Sequence, residues 1–406
     1  MAKELSIKLK TFSALSHKNY RLFFFGQALS LIGTWMQSVA LSWLTLELTQ
    51  SPFLLGALSA VQFAPMTFLS VVGGVAADRF PKKRILLITQ SLMMVLAGVL
   101  TFLTYFHLIS YWHLLFIAFG LGVANSFDMP TRQAFVIDLV GPEDLTNAIA
   151  LNSSIFNLAR LLGPALAGLV LAKYGSATCF FINTLSFLAV LAGLLLMDNL
   201  PARKKAISSS LKNDLQEGFS YLYTKKPLLK AILTVSVLSI FAMNFSVLIP
   251  ILAKIDLKLP AEMFGFMMSS FGLGALLGAL SMATFSRKLN LEKVIKISAV
   301  LMALLQLAMP LAKFPWTAMV LLFLTGFFTI AFNSGSNSFL QKNVSDTYRG
   351  RVMSIYTTVF AGFAPLGSLF AGSISHYLNA SKTFALGAFI SLILIGMINF
   401  YQERKP

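Results

Sequence analysis

The stretch Gly74-Val75-Ala76-Ala77-Asp78-Arg79-Phe80-Pro81-Lys82-Lys83-Arg84 connects two long hydrophobic runs, at residues 53–77 and 84–106. A run of about 20 apolar residues is long enough to cross a bilayer as a helix. A short, strongly basic connection between two such runs is typical of a loop that stays on the cytoplasmic side. The stretch therefore predicts a helical hairpin that crosses a membrane twice, with Lys82, Lys83 and Arg84 in the cytoplasm.

Similar hydrophobic runs recur along the whole chain. Of its 406 residues, 57% are hydrophobic and 12% are charged, and the mean hydropathy is +0.77, whereas a soluble chain carries about 25% charged residues. The pattern predicts an all-α membrane protein with twelve transmembrane helices in two pseudo-symmetric six-helix bundles. The predicted helices, spans 1 to 12, lie near residues 20–45, 53–77, 84–106, 112–135, 146–172, 176–197, 228–252, 262–285, 293–312, 316–340, 350–374 and 381–401.

The net charge of +17 is distributed unevenly between the two sides of the membrane. If the N-terminus is cytoplasmic, 25 of the 32 Lys and Arg residues lie on the cytoplasmic side and 5 on the outer side, while Arg132 and Arg160 lie within spans. This bias predicts a multi-pass protein of a bacterial inner membrane with both termini in the cytoplasm. Because orientation explains the positive charge, we expect no nucleic-acid partner.

The chain also repeats itself at a shift of 204 residues. Leu162-Gly163-x-x-x-Ala167-Gly168 in span 5 matches Leu366-Gly367-x-x-x-Ala371-Gly372 in span 11, and Gly74 matches Gly278. The repeat predicts an N-terminal six-helix bundle at residues 1–197, a cytoplasmic linker at 198–227 and a C-terminal bundle at 228–406. Residues 1–19 are basic and amphipathic and are expected to lie on the cytoplasmic membrane surface. The bundles of such repeats can rock around a substrate site, and glycine pairs such as Gly274-x-x-x-Gly278 allow close helix packing.

The loop at residues 74–84 resembles the signature of the major facilitator superfamily, although Pro81 stands where a second Gly is usual. Residues 19–24, 130–135, 147–152 and 349–354 look like the enterobactin-exporter and macrolide-efflux branch of that superfamily. Gly163-Pro164 resembles the signature that its antiporters carry in span 5. The resemblance implies a drug:proton antiporter that works by alternating access.

Two interpretations of the loop follow. The basic residues Arg79, Lys82, Lys83 and Arg84 could act only as an anchor on the cytoplasmic side. Asp78 suggests more, because a carboxylate can accept backbone N–H groups at the start of a helix. The resemblance implies that its partner is the start of span 11, near Gly350, in the outward-open state. Asp78 aligns with Met282 in the second half, so this gate would be one-sided.

Polar residues form stripes within four spans. We expect these stripes to converge on a water-accessible cavity, although hydrogen bonds between helices would also explain them. Charged members are costly inside a membrane, at about 2.5–3.5 kcal/mol each on insertion scales. The stripes contain Gln27, Ser30, Thr34 and Gln37 in span 1, Asn125, Asp128 and Arg132 in span 4, Ser153, Asn157 and Arg160 in span 5, and Asn333, Ser334, Ser336 and Asn337 in span 10.

Asp128 has two candidate roles. It could be a structural acid that pairs with Arg132 one turn away, across a kink expected at Pro130. It could instead be a coupling acid that binds a proton on one side and releases it on the other, with Arg160 from span 5 altering its pKa. The sequence does not choose between them. Asp138, near the cytoplasmic end of span 4, is a candidate partner for the basic loop.

Enzyme chemistry has no support in the sequence. There is no phosphate-binding Gly-Lys-Ser/Thr loop, catalytic triad or zinc-binding helix motif, and Cys179 is the only cysteine. We therefore expect no metal or other cofactor and predict a monomeric secondary exporter. It would exchange an amphipathic small molecule, such as a drug or siderophore, for protons or another coupling ion within the lipid bilayer. The alternatives are a lipid or lysolipid flippase on the same fold and, from another class, a membrane-embedded enzyme or a sensor.

Overall fold

The described chain is built almost entirely from long helices. The structure is a computed structural model that describes residues 12–198, 211–286 and 289–403. The predicted amphipathic segment therefore lies largely outside the described residues, as does 199–210 of the predicted linker. Helices suit a hydrophobic chain because they satisfy every backbone hydrogen bond internally, where a bilayer offers no water.

Among the described residues, ten helical stretches are long and apolar enough to cross a membrane. The longest, Tyr111–Leu195, contains two non-helical residues, Gly141 (φ 73°, ψ 176°) and Gly175 (φ 79°, ψ 175°). This backbone conformation is open almost only to glycine, and it divides the stretch into spans 4, 5 and 6 at residues 111–140, 142–174 and 176–195. The ten stretches thus supply twelve spans, as predicted. The gaps left between the predicted spans, at 136–145 and 173–175, are helical except at Gly141 and Gly175, so single glycines make both turns.

The other spans follow the predicted order with longer bounds. Spans 7 and 11 are interrupted: span 7 consists of Lys226–Phe241, Phe245–Ile251 and a π-helical turn at Leu252–Asp256, and span 11 of Asp346–Gly362 and Ala364–Leu378. A separate linker helix, Leu211–Thr224, precedes span 7. The remaining spans 1, 2, 3, 8, 9, 10 and 12 are Lys18–Thr49, Pro52–Arg79, Lys82–Tyr105, Ala261–Phe285, Leu291–Leu307, Pro315–Asn343 and Ala380–Glu403.

Packing within each half confirms the internal repeat. A Cβ added at Gly163 in span 5 would lie 2.5 Å from the Cβ of Trp35 in span 1. One added at the equivalent Gly367 in span 11 would lie 2.9 Å from the carbonyl oxygen of Ser239 in span 7. Trp35 and Ser239 are themselves 204 residues apart. Span 5 therefore packs on span 1 as span 11 packs on span 7.

The corners that follow these spans repeat as well. Gly175 aligns with Asn379, whose backbone adopts nearly the same left-handed conformation (φ 77°, ψ 165°). Asparagine is among the few non-glycine residues that tolerate positive φ. Its side-chain oxygen accepts a hydrogen bond from the backbone N–H of Lys382 (3.0 Å). The second half thus makes the same turn with a different residue.

Contacts group the chain into two compact units, Met1–Leu41 with Phe68–Ile207, and Ser42–Thr67 with Ser208–Pro406. Within the second unit, the Trp43 ring of span 1 stacks on Phe264, with 5.6 Å between centroids. The Lys254 ammonium lies 4.0 Å from the centroid of the same ring. The sequence-based division at 198–227 stays a prediction.

The linker helix docks on the start of span 11 within the second unit. Glu217 pairs with Arg351 (2.8 Å), and the Tyr221 ring stacks on Tyr348 with 4.4 Å between centroids. The backbone N–H of Ser345 donates to the Tyr221 hydroxyl (3.3 Å). Hydrogen bonding from Ser345 favours the phenolate form and so lowers the pKa of Tyr221. The described part of the linker is therefore a packed element.

Candidate coupling and gating sites

The Asp128 carboxylate in span 4 is fully buried, with 0% of the residue exposed. Thr89 Oγ1 (2.9 Å) and Gln90 Nε2 (2.7 Å) of span 3 both donate to its Oδ1. Arg132, one turn further along span 4, pairs with its Oδ2. The buried charge is thus matched by an opposite charge and two neutral donors, as burial of an ion requires.

Arg132 extends this cluster to span 1. Its second guanidinium nitrogen donates to Oε1 of Gln27, which is 3% exposed. One carboxylate and one guanidinium therefore connect spans 1, 3 and 4. Among the described residues, Nε2 of Gln27, Oε1 of Gln90 and Nε of Arg132 are buried and lack a hydrogen-bond partner. Buried polar atoms without a partner are costly. These three atoms could hydrogen-bond to a water molecule, or to each other's side chains in a second arrangement of the cluster.

Span 2 approaches span 4 beside this cluster. Pro130 has no N–H, so the carbonyl of Ser126, four residues earlier, loses its helical donor. A Cβ added at Gly73 of span 2 would overlap that carbonyl oxygen. The helix nevertheless keeps helical backbone angles through Pro130, since the non-helical residues of the stretch are Gly141 and Gly175. Because Gly73 has no side chain, the backbone of span 2 can pack directly against this carbonyl, which lacks its helical donor.

The basic loop is tied to two other helix ends. Lys82 Nζ lies 2.6 Å from Asp138 Oδ2, which confirms the pairing predicted for that acid. Lys83 Nζ donates to the backbone carbonyl of Met197 (2.9 Å), just beyond span 6. Pro81, which replaces the usual Gly, immediately precedes span 3, and its carbonyl accepts from the N–H of Arg84 (2.9 Å). The turn is therefore made by a proline at the start of a helix.

Asp78 and Arg79 lie in the last turn of span 2, and both are exposed, as is Arg84. A Cβ added at Gly74, one turn earlier, would meet nothing within 4 Å. The gating role assigned to Asp78 by resemblance stays a prediction. Pro164 is buried in span 5 beside Gly163, so this pair has a packing role in the described structure.

The stripe in span 1 divides into buried and exposed members. Gln37 is 4% exposed and accepts from Nδ2 of Asn183 in span 6 (2.8 Å). Thr34 is exposed, and its hydroxyl donates to the carbonyl of Ser30 (2.8 Å). Gln27 and Gln37 therefore make hydrogen bonds between helices, the alternative that the sequence left open, and Thr34 stays a candidate for contact with water.

Arg160 of span 5 is not a hydrogen-bond partner of the Asp128 carboxylate. The hydrogen-bond partners of that carboxylate are Thr89, Gln90 and Arg132, so the contact considered for Arg160 is not among them. Arg160 and Asn157 are both partly exposed. Asn157 Nδ2 donates to the carbonyl of Ser153 (2.8 Å) within span 5.

The stripe in span 10 belongs to the second unit. The Tyr356 hydroxyl of span 11 donates to the carbonyl of Asn333 (3.4 Å), and Gln341 Nε2 donates to Oδ1 of Asn337 (2.6 Å). In the part of the chain that the structure describes, Oδ1 of Asn333 and Oγ of Ser336 are buried without a hydrogen-bond partner. Both residues thus carry a buried polar atom, as expected of a functional stripe.

Sequence reasoning missed three members of these networks, Thr89, Gln90 and Asn183. Thr89 and Gln90 are neighbours in the otherwise apolar stretch Ile85-Leu86-Leu87-Ile88-Thr89-Gln90, and Asn183 is the only amide side chain in span 6. A polar residue inside a span is costly unless it has a partner. The isolation of these polar residues within apolar spans was therefore the signal that each has a polar partner.

A family model described as transmembrane secretion effector matches residues 9–406. The chain belongs to this family of the major facilitator superfamily. The family resemblance of the loop at 74–84 and of spans 1, 4, 5 and 11 is therefore confirmed, and the chain is a multi-pass membrane transporter, not an enzyme.

Relatives match along nearly their full length. The staphyloferrin A transporter of Staphylococcus aureus is 27% identical over 387 residues, which cover 95% of this chain and 96% of that protein. Macrolide efflux protein A of Streptococcus pyogenes is 23% identical over 409 residues, covering 96% and 98%. The crystal structure of nucleoside transporter NupG aligns with a TM-score of 0.76 at 15% identity, over 96% of this chain and 99% of that chain. This last likeness concerns the fold alone.

Proposed function

We propose that this secretion effector is a secondary exporter that exchanges an amphipathic small molecule for protons by alternating access. The buried cluster around Asp128 carries the proposal. Proton exchange requires a titratable group that can change partners within the membrane, and this carboxylate is held by residues of spans 3 and 4 whose own network reaches span 1. The relatives named for staphyloferrin A transport and macrolide efflux support the export of a small molecule.

The coupling step follows from the charge of the cluster. Protonation of Asp128 would remove the negative partner of Arg132 and weaken a charge-assisted hydrogen bond. Arg132 would then be free to turn towards water, with Gln27 following it, and the contacts among spans 1, 3 and 4 would change. A proton could bias the transporter between two states in this way, because it has a different affinity for each state. In this proposal the protein acts as a monomer in the bacterial inner membrane.

Purified protein in proteoliposomes tests the proposal. A thermal-shift screen against siderophores, macrolides and lysolipids first identifies a ligand, and transport of that ligand is then followed under an imposed pH gradient. We expect a siderophore or macrolide to be accumulated only when the gradient is present and to dissipate the gradient as it moves. Accumulation that ignores the gradient would contradict proton exchange, and a response to lysolipids alone would favour a flippase.

The proposed orientation places both termini and the 198–227 linker in the cytoplasm. Single cysteines at Ser208 and at Ser110, in a background where the buried Cys179 is replaced by Ser, should react with an impermeant maleimide from opposite sides of the membrane. Ser208 should label in everted vesicles and Ser110 in intact cells, because the bias of Lys and Arg sets the topology. Labelling of both from the same side would refute the orientation.

The gate at the end of span 2 gives a further prediction. Asp78→Asn should keep expression and folding but lower the transport rate, because an amide oxygen accepts hydrogen bonds from a helix start more weakly than a carboxylate does. It should also shift the distribution between states, measured by distance distributions between spin labels on the two bundles. The matched control is Asp198→Asn, another exposed acid, which pairs with Lys18 (3.3 Å). Transport at the wild-type rate in Asp78→Asn would show that Asp78 has no gating role.

A further inference from the structure

The charged side chains deep in the membrane do not cancel. Among the described residues, only Asp128, Arg132 and Arg160 are Asp, Glu, Lys or Arg residues that lie at least eight positions from both ends of a helix. Asp128 and Arg132 form one ion pair. The formal charges of these three described residues therefore sum to +1, and Arg160 contributes the charge that the Asp128–Arg132 pair does not balance.

Arg160 shares one face of span 5 with an aromatic pair. Phe156, Arg160 and Gly163 are spaced by four and three residues, so they lie on the same side of the helix. Trp35 of span 1 contacts this side at both ends: its ring centroid lies 6.1 Å from that of Phe156, and its Cβ lies 2.5 Å from a Cβ added at Gly163. Arg160 therefore lies on span 5 between the two residues, Phe156 and Gly163, that contact Trp35.

This face is reachable. Phe156 is 44% exposed, and Trp35, Asn157 and Arg160 are partly exposed. Exposure of an arginine to hydrocarbon costs about 2.5–3.5 kcal/mol even on insertion scales, so the accessible part of Arg160 is expected to face water or a polar solute. We refer to Trp35, Phe156, Asn157 and Arg160 as the Arg160 face.

We propose that the Arg160 face binds the carboxylate group of an anionic, amphipathic substrate, whose apolar body packs on Trp35 and Phe156. A guanidinium presents two parallel N–H donors to a carboxylate, and the aromatic rings offer a large apolar surface beside it. An anion would neutralise the interior charge, whereas a cation would be repelled by it in a medium where charges interact strongly. The proposal rests on the proposed export function and narrows its substrate to carboxylates.

A comparison of two ligands with the same aromatic group, one charged and one neutral, distinguishes recognition of the charge from binding of the apolar group. The probes are 2-naphthylacetate and its neutral amide, 2-naphthylacetamide, titrated calorimetrically into protein in maltoside micelles, with empty micelles subtracted. We expect wild-type protein to bind the carboxylate about tenfold more tightly than the amide, the size of one charge-assisted hydrogen-bonding pair. Arg160→Gln should remove this preference while the affinity for the amide is unchanged.

Two variants guard against indirect effects. Lys173→Gln removes one positive charge near the outer end of the same span, outside the Arg160 face, and should keep the tenfold preference. Arg160→Lys keeps the charge but loses the paired donors, so its preference should fall to an intermediate value even if Arg160→Gln fails to fold. Equal binding of the two probes by wild-type protein, or a full preference in either Arg160 variant, would overturn the assignment.

The outcome is separable from that of the export proposal. If wild-type protein shows no carboxylate preference but proteoliposomes accumulate a macrolide under a pH gradient, the exporter stands and the substrate class is wrong. If the preference is present and depends on Arg160 but no gradient drives transport, the binding site stands and proton exchange is wrong.

Discussion

Asp128→Asn is expected to abolish gradient-driven accumulation in proteoliposomes and to leave substrate binding largely intact. Asparagine keeps the size of the side chain and an oxygen that can accept from Thr89 or Gln90, but it cannot bind and release a proton. Asp128 is the only carboxylate at mid-membrane depth in the described spans, so no other described acid there can replace it. The measurement is uptake at a fixed pH gradient compared with uptake at equal pH, together with ligand affinity by thermal shift.

A matched control lies in the same span. Asp138 is also ion-paired, to Lys82 (2.6 Å), but it lies at the helix end with 30% of its side chain exposed. Asp138→Asn should therefore keep gradient-driven uptake. Gradient-driven uptake by Asp128→Asn would reject the coupling role and leave the pair with Arg132 as the explanation of this acid.

Loss of folding has to be separated from loss of coupling. Removing one member of a buried ion pair costs about 3–5 kcal/mol, because the other charge stays buried and uncompensated. The double variant Asp128→Asn, Arg132→Gln removes both charges and should restore stability while gradient-driven uptake stays absent. If the double variant regains coupled transport, the carboxylate has only a structural role.

The sequence predicted the membrane architecture well because bilayer thickness sets the length of each hydrophobic run. All twelve spans, the repeat at 204 residues and the local pair of Asp128 with Arg132 follow from spacing along the chain. The exact turns between spans 4, 5 and 6 did not, because the helices continue up to a single glycine with positive φ on either side, with no separate loop between them. Gly141 and Gly175 therefore look like ordinary small residues in a hydropathy pattern.

Contacts between helices were less accessible to sequence reasoning. That Thr89 and Gln90 of span 3 meet Asp128 depends on how two helices are rotated about their axes, and apolar residues cover these spans on nearly every side. The polar stripe in span 1 was recognised from the sequence. That Gln27 and Gln37 hydrogen-bond to other helices while Thr34 is exposed could be seen only once the positions of the neighbouring spans were known. The docking of the linker helix on span 11 depends on pairs more than 120 residues apart, such as Tyr221 with Ser345.

The close packing of spans 8 and 10 gives the largest expected effect on stability. The sequence predicted that Gly274-x-x-x-Gly278 allows close packing, and the structure confirms it. A Cβ at Gly274 would overlap the carbonyl oxygen of Phe323, and one at Gly278 would lie 2.5 Å from that of Phe327. On the other helix, a Cβ at Gly326 would overlap the carbonyl oxygen of Phe271. The backbone of each helix thus fits against glycines of the other. Inside a membrane, where burial of apolar surface does not drive helices together, such close van der Waals packing stabilises the helix pair.

Gly274→Ala should therefore lower the thermal unfolding temperature and the yield of monodisperse protein, because the added methyl group must push two backbones apart. Overpacking of this kind costs about 1–3 kcal/mol and occasionally more, and the opposing atom is a backbone oxygen that cannot rotate away. Gly396→Ala in span 12 is the control, since its Cβ would meet nothing within 4 Å and alanine favours a helix by about 0.5–1 kcal/mol over glycine. Addition of Gly326→Ala to Gly274→Ala should cost less than the two single changes together, because one separation of the helices relieves both clashes. Unfolding temperatures that are equal for Gly274→Ala and Gly396→Ala would show that spans 8 and 10 do not pack this closely in the membrane.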